Sequence, residues 1–92
     1  MMTFPDDVLA SYERSKSYLR NTPLDHSPYL SELIKGEVYL KLENIQKTGS
    51  FKFRGAISKI TSLAPDQRKS GIVTASTGNH GAAVSLAMKI LN

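Results

Sequence analysis

Two short apolar runs, Glu37–Glu43 (EVYLKLE) and Gly71–Ala75 (GIVTA), are each followed by a glycine-containing turn and then by a segment of helical periodicity. Strand, loop, helix, strand, loop, helix is the grammar of a doubly wound α/β protein. In the first run Val38, Leu40 and Leu42 fall on one face, as a half-buried strand requires. In the second, the β-branched residues Ile72, Val73 and Thr74 predict a parallel, buried strand. Sheets usually need about four to six strands, and this chain offers two. The expectation is an incomplete α/β unit, either a fragment of a larger protein or a truncated copy.

Helical signals fill the intervals. Val8, Leu9, Tyr12 and Leu19 recur near helical spacing behind Asp6 and Asp7, which predicts a first helix capped by those acids and ending near Asn21. Ser27 is placed to cap a short second helix, Pro28 suits its first position, and Gly36 supplies a left-handed stop. Thr48, Gly49 and Ser50 break the first strand and lead into a helix from Phe51 to Leu63, with Phe53, Ala56, Ile57, Ile60 and Leu63 in one apolar stripe. Lys52 and Lys59 lie on another face. Ala64, Pro65 and Asp66 begin a short turn or helix that Gly71 closes. The last segment, Ala82–Leu91, is apolar nearly all round and reads as a buried helix.

Composition excludes more than it identifies. A chain of 92 residues makes at most one small domain and leaves much of its surface exposed. Its net charge of +4 comes from 12 basic and 8 acidic residues that are interspersed, so it reads as a solvated surface rather than a nucleic-acid footprint. The absence of cysteine rules out disulfides and thiolate metal sites and suits a reducing compartment, hence a cytoplasmic location. With only His26 and His80 to offer imidazole, no metal-ligand set can be assembled. The first twenty residues carry acids early and lack the apolar core of a signal peptide. Ala82–Leu91 is too short to cross a bilayer and contains Lys89, so a soluble protein is expected. An incomplete sheet nevertheless predicts poor solubility for the isolated piece.

Two motifs carry chemistry. QKTGSFKFRGA, Gln46–Ala56, sets a single lysine between two phenylalanines at a helix start. A lysine that forms an imine must be held in one rotamer, partly desolvated and next to open space. Phe51 and Phe53 are placed to shield Lys52 from water, Ser50 to cap the helix, and Gly55 and Ala56 to remove bulk one turn on. Arg54 is placed to lower the lysine pKa or to pair with an acid elsewhere. Lys41 and Lys59 lack this setting and read as solvated charges; Lys47 reads as solvated or as a structural contact. ASTGNHGAA, Ala75–Ala83, follows a strand and opens a helix, where unpaired N–H groups and the helix dipole favour an anion. Ser76, Thr77, Gly78, Asn79 and His80 form that turn, with Gly78 and Gly81 permitting close backbone approach. It has neither the GxxxxGK spacing of a phosphate loop nor the GxGxxG of a dinucleotide fold. His80 reads as a capping residue rather than a base.

The run LKLENIQKTGSFKFRGA followed by VTASTGNHGAAVSLA resembles the amino-terminal part of the threonine dehydratase (threonine ammonia-lyase) and serine racemase branch of fold-type II pyridoxal-phosphate enzymes. The TPL at Thr22–Leu24 and the SPYLSEL segment also match the opening of that family. The resemblance implies a piece of a doubly wound, tryptophan synthase β-like fold, with residues 1–50 from the larger domain and 51–92 entering the smaller. It implies pyridoxal 5'-phosphate as cofactor, held covalently by Lys52, whose freed amine then takes the α-proton of the substrate. Phe51 would pack on the cofactor ring and Asn79 would bond its hydroxyl. The turn from Ser76 through Thr77, Gly78 and Asn79 to His80 would cradle the substrate carboxylate. Loss of the β-hydroxyl from L-threonine or L-serine would give a 2-oxo acid and ammonia, in a homo-oligomer when full length.

Gln46, Lys47, Phe53 and Arg54 argue against the cysteine synthase branch, whose lysine follows an Asn-Pro-Gly-Gly-Ser motif. Serine racemases resemble this loop but carry serine where Thr77 stands, and the extra methyl favours elimination over racemisation. The glycine-rich phosphate loop of the family and its contact to the pyridine nitrogen have no counterpart in these residues. Three expectations follow: a dehydratase fragment with half a site, inactive alone; a non-catalytic binding or regulatory remnant; or a different activity on the same cofactor, such as racemisation or dehydration of a hydroxy-amino-acid derivative.

Overall fold

The computed structural model describes residues 1–92. Helix α1, Phe4–Ser15, opens on a capping box: the Asp6 carboxylate accepts the Thr3 N–H at 2.8 Å, and Thr3 Oγ1 accepts the Asp6 N–H at 3.4 Å. The cap is thus Thr3, with Asp6 as its reciprocal partner rather than the cap itself. The helix ends six residues earlier than the apolar spacing suggested and tightens into a 3-10 turn at Lys16–Tyr18.

Strand β1, Leu24–His26, lies in a stretch expected to be only the approach to a helix. It pairs antiparallel with β2, Tyr39–Lys41, in the register Leu24↔Lys41, Asp25↔Leu40 and His26↔Tyr39. Between them runs α2, Pro28–Ile34, where Ser27 Oγ accepts the Leu30 N–H at 3.3 Å as its position foretold. Lys35, not Gly36, takes the left-handed conformation that ends α2 (φ 53°, ψ 47°). The Gly36 N–H still closes the turn on the Ser31 carbonyl at 3.0 Å. The expected strand Glu37–Glu43 shortens to three residues because only those find a partner.

Helix α3, Lys52–Thr61, carries the predicted stripe inward: Phe53, Ala56, Ile57 and Ile60 are buried and Leu63 partly so. After α4, Pro65–Lys69, the chain runs through Ile72–Ala75 without regular structure or pairing to any strand, so the second predicted strand does not form. An extended apolar run becomes a strand only beside another, and none of these residues lies alongside it. Helix α5, Asn79–Leu91, packs on α3 through Ala83, Val84 and Ala87. Two alanines one turn apart let the axes approach closely. The helix buries this one stripe rather than its whole circumference, and Ile90 stays exposed.

The molecule is open. Its radius of gyration is 16.0 Å, against about 12 Å for a compact chain of this length. Its accessible surface is 6709 Å², against about 5300 Å² for a compact monomer of this mass. No helix is long and apolar enough to cross a membrane.

Two polar joints hold the pieces in register. Buried Gln46 accepts the Arg20 N–H through Oε1 and donates through Nε2 to the Arg20 carbonyl, both at 2.9 Å. The Arg54 guanidinium grips the Glu43 carboxylate with two 2.8 Å bonds, from Nε and Nη2, and Thr22 Oγ1 donates to the same carboxylate at 2.5 Å. Lys41 Nζ closes the group on the Thr22 carbonyl at 2.6 Å. The hydrogen bonds from Arg54 outweigh desolvation and hold the Glu43 carboxyl at about 2, with Thr22 and the charges of Arg54 and Lys41 adding to the effect.

A carboxyl lowered on folding contributes stability above its unfolded value, about 4.3, and loses it as pH falls through the folded value. At pH 7, Glu43→Gln should therefore destabilise the chain by about 1–3 kcal/mol, since a charge-assisted pair is broken. In urea unfolding, the gap between this variant and the unaltered chain should narrow steadily from pH 5 towards pH 2. A gap independent of pH would show that the carboxylate does not carry the joint.

Candidate functional site: a lysine cleft

Upstream of α3 the backbone is forced into an unusual path. Thr48 (φ 65°) and Gly49 (φ 75°) are both left-handed, and Thr48 Oγ1 is buried without a hydrogen-bond partner. Glycine adopts this geometry freely, whereas a β-branched threonine does so at a cost. The kink turns the chain so that α3 begins at Lys52 with no side-chain cap. The nearest substitute is Ser50 Oγ, which accepts the Lys52 N–H at 3.3 Å.

Lys52 stands exposed in that first turn, with Nζ 4.9 Å from the centre of the Phe51 ring. Phe51 is itself 60% exposed and is the one aromatic neighbour of the amine. Phe53, expected as the second wall, is fully buried in the core on the other side of the helix, because residues one apart on a helix point about 100° apart. Arg54, expected either to tune the lysine or to pair with an acid, pairs with Glu43.

The lysine borders a cavity of about 490 Å³ between one face of α3, the unpaired run Ile72–Thr74 and the start of α5. Lys59 and His80 reach its rim, and Ile60, Ile72 and Val84 form an apolar floor. Gly55 opens onto it: a β-carbon built there meets no atom within 4 Å. This is open space of the kind a flat ligand needs, beside an amine and an aromatic ring.

The turn at Ser76–His80 adopts the expected loop-to-helix form. Ser76 Oγ accepts the Gly78 N–H at 3.2 Å. The lack of a side chain at Gly81 lets Ser76 approach, since a β-carbon there would lie 3.4 Å from it. Helix α5 starts without a side-chain cap, and its first main-chain bond runs from Ala82 to the Gly78 carbonyl at 3.1 Å. The N–H groups of Asn79, His80 and Gly81 therefore point out unpaired, the arrangement that receives an anion. His80 caps nothing and instead lines the cleft.

Of the residues singled out in the sequence, the fold brings Phe51, Lys52 and His80 around one cavity. Ser76, Thr77, Gly78 and Asn79 sit exposed on the adjoining turn, outside the lining. His26 is held on β1 by Ser31 and Glu37, each 3.1 Å from Nε2, and plays no part in the cleft. Glu43 and Thr22 were not anticipated. Their signal was an unclaimed acid at the end of a strand and an arginine in search of a partner.

An imine-capable lysine at a helix start, an aromatic ring beside it and an anion-receiving turn across an apolar cleft define part of a cofactor-binding α/β enzyme domain. The sequence pattern of the pyridoxal-phosphate dependent enzymes matches residues 16–92, and the chain belongs to that family. It is 48% identical over 85 residues to an L-threonine ammonia-lyase of Thermotoga maritima, covering 92% of this chain and 21% of that protein. It is 56% identical over 86 residues to a catabolic L-threonine dehydratase of Staphylococcus aureus, covering 92% and 25%. Among solved structures it superposes on maize serine racemase with a TM-score of 0.85 at 37% identity, over 94% of this chain and 27% of that one. On serine racemase from Dictyostelium discoideum the score is 0.86 at 44% identity, over 91% and 28%. The chain thus spans about a quarter of the length of these relatives and is a partial piece of the fold-type II α/β architecture.

The donor set fits pyridoxal phosphate: a primary amine, a ring face, an open glycine surface and unpaired N–H groups stand within one region. The glycine surface gives a direct check. In the middle of a helix Gly55 costs about 0.5–1 kcal/mol relative to alanine, and nothing in the chain fills the position. Gly55→Ala should raise the unfolding free energy by about that amount in urea titrations. A loss of stability would mean that the space beside Lys52 is not open.

Proposed function

We propose that this chain is the lysine-bearing part of an enzyme that eliminates water from a hydroxy-amino acid, L-threonine or L-serine, and releases a 2-oxo acid and ammonia. The observation that carries the reading is Lys52 at the mouth of an apolar cleft, faced by the start of α5. Identities of 48% and 56% to proteins named for threonine deamination support the choice of reaction. Bound pyridoxal phosphate supplies an electron sink that acidifies the substrate Cα–H.

The chain's own residues do the rest. The Lys52 amine holds the cofactor and, once freed, accepts the α-proton, a role that requires it neutral. Phe51 would pack against the cofactor ring. The unpaired N–H groups at the start of α5, with Ser76, Thr77, Gly78 and His80, would receive the substrate carboxylate. Asn79 would hydrogen-bond the ring hydroxyl, and His80 borders the same cleft. The apolar floor borders the space in which that proton would move.

Residues 1–50 are assigned to the larger domain of that enzyme and 51–92 to the entry into the smaller, a division supported by the closer packing of α3 on α5 than on α1. The whole protein is a homo-oligomer of the cytoplasm that acts on small molecules, not on nucleic acid. The structural likeness to two serine racemases favours racemisation as the second reading. The ratio of D-serine to pyruvate formed from L-serine by the protein that carries this chain separates the two, and a ratio well below one is expected.

Trapping tests the site directly. The 92-residue chain is mixed with pyridoxal phosphate, reduced with borohydride and mapped by mass spectrometry. The stable adduct should concentrate on Lys52, and Lys52→Ala should abolish that peak without moving label to Lys59. Label spread evenly over the exposed lysines, with Lys52→Ala changing nothing, would leave a non-catalytic remnant as the better account.

A further inference from the structure

Lys52 and Arg54 are two positions apart on α3, so their side chains leave the helix about 200° apart, on opposite sides. Lys52 borders the cleft; Arg54 turns away from it towards the β1–β2 side, where Glu43 and Thr22 receive it. The group is partly sheltered: Thr22 is 4% exposed, the Glu43 side chain 15% and the Arg54 side chain 34%. Its geometry is that of a fork gripping a carboxylate with two bonds, which fixes direction as well as distance.

The start of α3 needs such a device. Its first turn has no side-chain cap, and the residues leading into it are a left-handed pair at Thr48 and Gly49. Core packing through Phe53, Ile57 and Ile60 holds the body of α3 against α5, yet it leaves the direction of the uncapped first turn to be fixed. A bidentate ion pair from Arg54, within that turn, fixes it.

We propose that Glu43 and Thr22 are positioning residues, which through their hold on Arg54 fix the first turn of α3 and thereby aim Lys52 into the cleft. The proposal rests on the reading of Lys52 as the cofactor lysine. It assigns the chemistry of the site to one side of a helix and its aim to the other. Lysine cannot replace Arg54 in full, since an ammonium is a single point charge without the fork.

Lys59 is an internal reference. It lies seven residues along α3, about 10 Å from Lys52 along the axis, and lines the same cavity beyond reach of the clamp. Loss of stability alone would affect both lysines, whereas loss of aim affects Lys52. The 92-residue chain is incubated with pyridoxal phosphate, reduced with borohydride, and the ratio of adduct on Lys52 to adduct on Lys59 is read by peptide mapping. Circular dichroism confirms that each variant is folded under the same conditions.

The Lys52:Lys59 ratio should fall about fivefold or more in Arg54→Met and Glu43→Gln, within the range that an ångström of misplacement produces at a reacting group. Arg54→Lys should recover part of the loss, and Thr22→Val should lose less. If Arg54→Met loses its helical signal, the ratio in Arg54→Lys decides. An unchanged ratio in the folded Arg54 variants, with Lys52 preferred in the unaltered chain, overturns the positioning role and leaves the functional reading intact. No preference for Lys52 in the unaltered chain overturns that reading and the positioning role together.

Discussion

Three demands meet on one ten-residue helix. Helix α3 must bury Phe53, Ile57 and Ile60 against α5, present Arg54 to Glu43, and leave Lys52 at the mouth of a cleft. At about 100° per residue these directions are compatible only in one register. Sliding the helix by a residue would bury a charge or expose the core. The rest of the molecule follows from satisfying that constraint: β2 brings Glu43 to the near side, Gln46 ties the approach to Arg20, and the left-handed pair at Thr48 and Gly49 delivers the chain to the helix start.

Helical periodicity was the most legible part of the sequence, for a physical reason. The stripe Phe53, Ala56, Ile57, Ile60 is buried mainly by α5, which the same 92 residues supply. Strands were less legible because a strand is defined by its partner. Leu24–His26 has little apolar character and pairs through its backbone with Tyr39–Lys41, whereas Ile72–Ala75 has strong β character and pairs with nothing. Two helix-end signals fell elsewhere for a similar reason, one position away at Lys35 and three away at Thr3. Thr3 outranked Asp6 because the two act as a reciprocal pair, and Lys35 took the left-handed stop although a glycine stood next to it.

The site divides along the same line. Lys52, Phe51 and His80 were recognisable as residue types in a motif, and the fold brings them round one cavity. Their supports were not recognisable. Glu43 and Thr22 are an acid and a hydroxyl with no local pattern, eleven and thirty-two residues from the arginine they hold. Motifs report groups that touch a ligand because spacing is local there. The residues that hold those groups in place are set by tertiary contacts and can be read only from the structure.

The apolar surface left open gives the cleft its meaning. Val73 is fully exposed and the unpaired run Ile72–Ala75 forms one wall of the cavity that Lys52 borders. A lysine used for imine chemistry needs a site that excludes water, and a wall made of unpaired backbone does not exclude it. Under the role proposed for Lys52, its chemistry and the pairing of Ile72–Ala75 are coupled: a strand laid along that backbone would also dry the cleft. Under the proposal made for Arg54, Glu43 and Thr22, aim by contrast needs only residues of this chain, so orientation and desolvation of the lysine are separate demands on the fold.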